Sequence, residues 1–191
     1  MITMVQTPAK TISLEDFLQL PETKPAKEYI DGQIIPKPMP QGHHSTIQVE
    51  LTEAINAVVK KQRIARAYTE LRCIFGGLAI VPDITVFSWS RIPVDDKGNV
   101  ENVFNLAPDW IIEILSPGQN QTKVTGKILH ALNHGSQMGW LIDPETLSVL
   151  IYPPQQQPKL LQEETAILPS PELVKDLQLT VGDLFGWLKH H

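Results

Sequence analysis

Hydrophobic positions along the chain follow two periods. Ile47, Leu51, Ala54, Ile55 and Val58 recur at 0, +4, +7, +8 and +11. That spacing is the apolar stripe of an amphipathic helix, which Ser45 would cap and which fades near Gln62. A second stripe, Val124, Ile128, Ala131 and Leu132, predicts a helix from Gln121 to His134, stopped by Gly135. Two short helices follow from capping patterns. Ser13 to Asp16 opens one with Leu14, Phe17 and Leu18 inward, ended by Pro21, and Thr180 to Asp183 opens another with Val181, Leu184, Phe185 and Leu188 inward.

The remaining apolar runs read as strands. EYIDGQIIP is a hairpin turning at Asp31-Gly32, with Glu28 near the start of its first strand. YTELRCIF, from Tyr68, turns at Gly76-Gly77 into LAIVPDITVF, a run apolar on both faces as in a covered central strand. PDWIIEIL, MGWLIDP and LSVLIYPP complete the set, while residues 90–107 and the PQQQP segment read as polar loops. Helix, hairpin, helix, three strands, helix, two strands and helix make a mixed sheet with helices on its faces, an α/β (α+β) layered fold.

Composition narrows the class. With 191 residues the chain can bury a substantial core as a single domain, 1–191, with residues 1–10 and 188–191 as loose ends. No apolar run approaches the ~20 residues of a membrane span, and the first residues lack the apolar centre of a signal peptide. Cys73 is the sole cysteine, so an internal disulfide and a cysteine-rich zinc site are excluded. These features describe a reduced, cytoplasmic protein. Net charge is −5, contrary to the basic footprint of most nucleic-acid binders. The densest basic stretch holds Lys60, Lys61, Arg63 and Arg66, with Arg72 soon after; it suits either a helix C-terminus or a phosphate-contacting patch.

Chemistry concentrates between Pro82 and Lys127. Asp83 and Glu113 are isolated acids inside strand-like apolar runs, where a charge needs a partner. Asp109 and Glu113 lie about 13 Å apart on one strand, too far to share a small ion. Asp83 and Glu113 lie on different strands, about 4.8 Å apart where strands are neighbours, so their carboxylates can meet one Mg²⁺ or Mn²⁺, with the Ile114 carbonyl as a third oxygen. A saturated set of donors around either acid would instead mark a structural network. Lys127 sits about 40° around the helix from Ala131, at the edge of the apolar face, able to send its ammonium along the sheet. A divalent ion, two acids and an ammonium suit phosphodiester hydrolysis. His130 and His134 have the i, i+4 spacing of a zinc pair, but Ala131 stands where a zincin needs Glu. His43-His44 precede a helix as cappers, packers or phosphate contacts. Glu70 is either a neighbour of the acids or a partner for Arg72.

Read together, EYIDGQII, PMPQGHHS, IVPDITVF, PDWIIEILSP, Lys127, GWLIDPET and LTVGDLF resemble the PD-(D/E)XK nuclease superfamily, and more closely its Uma-type restriction-endonuclease-like proteins. The resemblance implies a restriction-endonuclease-like fold and a metal held by Asp83 and Glu113. It also implies a DNA substrate and a homodimer. Leu115 occupies the place of the superfamily lysine, and Lys127 matches the Uma-type lysine on the following helix. Glu28 and His44 match an acid and a histidine of the N-terminal pattern. Lys123 and Ala131 stand where the family often carries aspartate and tyrosine. The other reading is an inactive nucleic-acid-binding or protein-interaction module on the same fold.

Overall fold

The computed structural model describes residues 11–190. Its elements run α1 (Leu14–Leu18), β1 (Lys27–Ile30), β2 (Gln33–Pro36), α2 (Gly42–Val59), β3 (Ala65–Thr69), β4 (Cys73–Phe75), β5 (Leu78–Ile80) and β6 (Ile84–Ser88). There follow β7 (Trp110–Ile114), α3 (Gln121–Asn133), β8 (Met138–Asp143), β9 (Ser148–Tyr152), β10 (Lys159–Leu161) and α4 (Val181–Gly186). Six strands form the larger sheet, in the order β10-β9-β8-β7-β6-β3, and four form a smaller one, β2-β1-β5-β4. The α/β (α+β) reading holds. The larger sheet is mixed: β7 and β8 run parallel across the α3 crossover, and its other neighbours are antiparallel.

Alternation along β7 sorts the core into two halves. Trp110, Ile112 and Ile114 face α2 and α4, packing with Ile47, Leu51, Ile55 and Leu184. Ile111 faces α3 and the small sheet, with Val124, Ile128, Ile80 and Phe104. Helix α3 lies directly on β8, where a Cβ added at Gly139 would come within 2.2 Å of Ile128 Cγ2.

The run LAIVPDITVF is two strands, not one. β5 ends at Ile80, β6 begins at Ile84, and the two belong to different sheets. Pro82 has no amide hydrogen for a ladder, so the chain changes sheets there with Asp83 at the crossing. The hairpin turn is as expected, with Asp31 and Gly32 at positive φ of 50° and 77°. Helix α2 starts earlier than Ser45 implies, with Gln41 as its N-cap and no side-chain cap. Phe17 is buried, but Leu18 is exposed. The 90–107 loop is anchored rather than loose, because Phe104 is fully buried and bridges to Cys73. β10 forms just after the PQQQP loop and pairs with β9. Residues 1–10, expected to be a loose end, lie outside the described residues; Leu188 packs against the core, as its inward place in the last apolar stripe implies. No described helix is long and apolar enough to cross a membrane.

Candidate functional site

Register places the two central acids together. Ile84 pairs with Ile112 across the antiparallel β6–β7 ladder, so Asp83, one residue earlier, stands across from Glu113. Glu113 lies on the face covered by α3, while Asp83, a bend residue just before β6, turns its carboxylate to the end of the ladder, where the Ile114 amide and His44 of α2 meet it. Both acids are buried. The tie between the strands runs through the Ile114 amide, which donates to Asp83 Oδ2 at 2.7 Å.

Four further elements converge on this point. From α3, Lys127 places Nζ 2.8 Å from Glu113 Oε1 and donates to Glu28 Oε1 and Oε2 at 3.1 and 3.2 Å. From β1, Glu28 Oε1 also accepts from the Val81 amide at 2.8 Å. From the residue after β2, Lys37 donates to Asp83 Oδ1 at 2.8 Å, Glu70 Oε1 at 3.0 Å and the Val81 carbonyl at 2.7 Å. From the first turn of α2, His44 Nε2 lies 3.1 Å from Asp83 Oδ2. Gln48, one turn along, donates to the Asp83 carbonyl at 2.8 Å and Glu70 Oε1 at 3.2 Å.

The electrostatics follow from four carboxyl groups facing two ammonium groups. Burial works against the Asp83 carboxylate, but the Lys37 charge, the His44 hydrogen bond and Lys127 overcome it and hold its pKa below the usual range. Burial pushes Glu113 up to about 8, with repulsion from Asp83 and Glu28 added and Lys127 and Lys37 opposing. Burial alone would lower Lys127, yet Glu113, Glu28 and Asp83 carry it above the ordinary lysine value. Lys37 behaves alike: burial lowers it, and Asp83, Glu113 and Glu70 raise it further. Both lysines therefore stay charged, and Glu113 is the group that takes up a proton. Its Oε1 lies close to Lys127 without the alignment of a hydrogen bond. An acid with spare oxygen capacity, in a cluster short of positive charge, matches the needs of a hard cation.

The arrangement is not a ready metal cage. Among the described residues no three His, Cys, Asp or Glu side chains are grouped to hold an ion, and both Asp83 oxygens already have donors. The expected sign of a structural network is thus present at Asp83, although one of those donors is itself a cation on a flexible stem. The cluster opens onto a cleft of about 350 Å³ whose lining includes Lys37, Met39, His44, Glu70, Asp83 and Ser116.

A family described as "Putative restriction endonuclease", Uma2, matches residues 14–182. The chain belongs to the Uma2 family. Its structure is similar to the crystal structure of a "putative nuclease" from Anabaena variabilis ATCC 29413, with 58% identity and a TM-score of 0.92, covering 93% of this chain and 99% of that one. No curated protein matches. Family and neighbour together support a nuclease on a restriction-endonuclease-like fold.

In this Uma2 protein the fold gathers Asp83, Glu113, Ile114, Lys127, Glu28 and His44 at one point. It does not bring Lys60, Lys61 or Arg63 there. They follow the C-terminus of α2, and 16 residues of helix put Lys60 roughly 24 Å from His44. Arg63 and Arg66 instead lie over Trp89 and Tyr68. Arg72 pairs with Glu22, not Glu70. Asp109 is held by Arg91, the Ser88 amide and Gln137. His130 and His134 each place a ring nitrogen against a backbone carbonyl, of Phe75 and His130 respectively. Cys73 is a buried thiol that burial pushes up to about 12. Lys37 is a member of the cluster that the sequence patterns do not single out. Its only sequence signal is its place directly after the hairpin strand that pairs with Glu28.

Proposed function

We propose that this Uma2 protein is a metal-dependent endonuclease that hydrolyses phosphodiester bonds in DNA, using Mg²⁺ or Mn²⁺ held by Asp83 and Glu113 with the Ile114 carbonyl. It works as a single catalytic domain in the cytoplasm, the reading its composition suggests, and as a homodimer, as its family resemblance implies. The observation that supports this reading is Asp83, at the entry to β6, beside Glu113 on β7, with more carboxyl groups than ammonium groups around them.

When bound, a divalent ion would supply Lewis acidity, acidifying water and offsetting charge on the phosphate. The chain's own groups do the rest. His44 and the Ile114 amide fix the Asp83 carboxylate in one orientation. Glu28 holds Lys127, and Lys127 holds Glu113 at the sheet. Glu113, as its carboxylate, would be a charged oxygen donor to such an ion. Lys37 and His44 line the cleft and meet the phosphate from its open side.

A second reading keeps the fold without turnover, and the occupied Asp83 oxygens favour it. Plasmid DNA incubated with Mg²⁺ or Mn²⁺ separates the two. The nuclease reading expects cutting that disappears in Asp83→Ala and in chelator. Absence of cutting across supercoiled, linear, single-stranded and RNA substrates with both ions would overturn it.

A further inference from the structure

Lys37 occupies a site with the character of a cation seat. Its ammonium has three hydrogens and three oxygen partners: Asp83 Oδ1, Glu70 Oε1 and the Val81 carbonyl, at 2.8, 3.0 and 2.7 Å. Two carboxylates and a backbone carbonyl are also the donor types that a hard divalent cation selects. The side chain is only 8% exposed. Its backbone is fixed, since Lys37 lies between Pro36 and Pro38 and its amide donates to the Ala26 carbonyl at 2.9 Å. The four-carbon stem is the movable part. It borders the 350 Å³ cleft on one side and a smaller one, about 140 Å³, on the other.

We propose that Lys37 is a tethered cation whose ammonium competes with a divalent ion for the oxygens of Asp83, Glu70 and Val81. This rests on the reading that Asp83 takes a metal, and it adds Glu70 and the Val81 carbonyl to the oxygens within reach. Asp83 Oδ2 is held by the Ile114 amide and faces His44, so Oδ1 is the oxygen left for an ion, and an ammonium 2.8 Å from that same oxygen would repel an ion bound there at about 2.1 Å. Entry of the ion therefore drives the ammonium off Asp83 and into the cleft, where the phosphate arrives. The same side chain thus balances the acids before the ion binds and faces the substrate afterwards. That supplies from another segment the ammonium that Leu115 does not provide.

The test is titration calorimetry with Mn²⁺ on the full chain, comparing wild type with Lys37→Met. Lys37→Gln serves as a second neutral variant, and folding is checked by circular dichroism. The expected result is Mn²⁺ binding at least about tenfold tighter in both variants, the scale of removing one like charge from contact distance. Adding Glu70→Gln to Lys37→Met should reverse part of that gain. Binding in wild type with equal or weaker binding in the variants overturns the tethered cation while leaving metal at Asp83 intact. Binding in the variants alone supports the competition and overturns the metal-dependent function, because the lysine then excludes the ion altogether. No binding in any form overturns both. A second readout is the ammonium resonance of Lys37 in a proton–nitrogen correlation spectrum, protected in chelator-treated protein and lost on adding Mg²⁺. Its persistence at saturating Mg²⁺ overturns the displacement.

Discussion

Glu113 Oε1 and Lys127 Nζ lie 2.8 Å apart in the interior, one on a central strand and the other on the helix that covers it. The contact joins β7 to α3 at the point where Glu28 reaches in from the small sheet. Three layers of the molecule are thus pinned by one ammonium.

Removing that ammonium should be severe. Lys127→Met leaves the buried Glu28 carboxylate without its ammonium, and breaking a buried ion pair from one side costs about 3–5 kcal/mol. Urea unfolding should show that loss. Lys127→Met combined with Glu28→Gln should recover a substantial part of it. Strict additivity of the two changes would mean that the pair is not energetically coupled.

Glu113 should make stability depend on pH in an unusual direction. Its pKa rises from an ordinary glutamate value to about 8 on folding. Between roughly pH 4.5 and 8 the folded protein therefore holds a proton that the unfolded chain has lost, and stability from this group falls as pH rises through that window. Glu113→Gln cannot titrate, so its stability profile should be flatter there. A wild-type and variant profile that run parallel from about pH 5 to 8 would contradict the assignment.

Asp83 contributes with the opposite sign. Its folded pKa is lowered, so its stabilisation is present above the unfolded aspartate value and is lost as pH falls below it. Asp83→Asn should be less stable than wild type at neutral pH, and the difference should shrink in acid. Equal stabilities at neutral pH would show that Lys37 and His44 do not favour the charged form.

Ion binding should release the Glu113 proton. Below about pH 8, Mn²⁺ affinity should then rise by about tenfold per pH unit, with close to one proton released. Calorimetry in buffers of different ionisation enthalpy measures that release. A pH-independent affinity between about pH 6 and 8 would place the ion away from Glu113.

The basic stretch after α2 is far from the acids, so it should affect DNA binding and leave bond cleavage alone. Replacing Lys60, Lys61 or Arg63 with alanine should weaken binding across sequences and reduce the salt slope by about 1 for each phosphate that is no longer neutralised. An unchanged slope in all three would make them ordinary solvated cations at a helix end.

Much of this site is legible from residue order. Asp83 and Glu113 stand out because apolar runs surround them, and Lys127 because a helical wheel turns it toward the same face. The hairpin turn is written in Asp31-Gly32, and both arms of the Thr180–Asp183 capping box form. The meeting of Lys37 and Glu70 is not legible in that way. They come together because β2 and β3, in different sheets, end at the same place, and nothing local in either segment encodes that meeting. The division of LAIVPDITVF is equally hidden, since an apolar run carries no mark of which sheet its halves join. β10 escapes because its three residues, Lys159–Leu161, are too few to show an alternation and lie mostly exposed at the sheet edge. With the N-cap at Gln41 rather than Ser45, His44 falls in the first turn, where its ring meets Asp83.

The change of sheet at Val81 to Asp83 has a mechanical consequence. These three residues connect two sheets that carry different parts of the charged cluster: Glu28 on the small one, Glu113 on the large one, and Asp83 on the strap between them. A small rotation of one sheet against the other would alter the spacing of the charges before it disturbed either hydrophobic half. The chemistry is therefore mounted on the joint of the molecule, and a ligand that tightens that joint tunes every acid in the cluster at once.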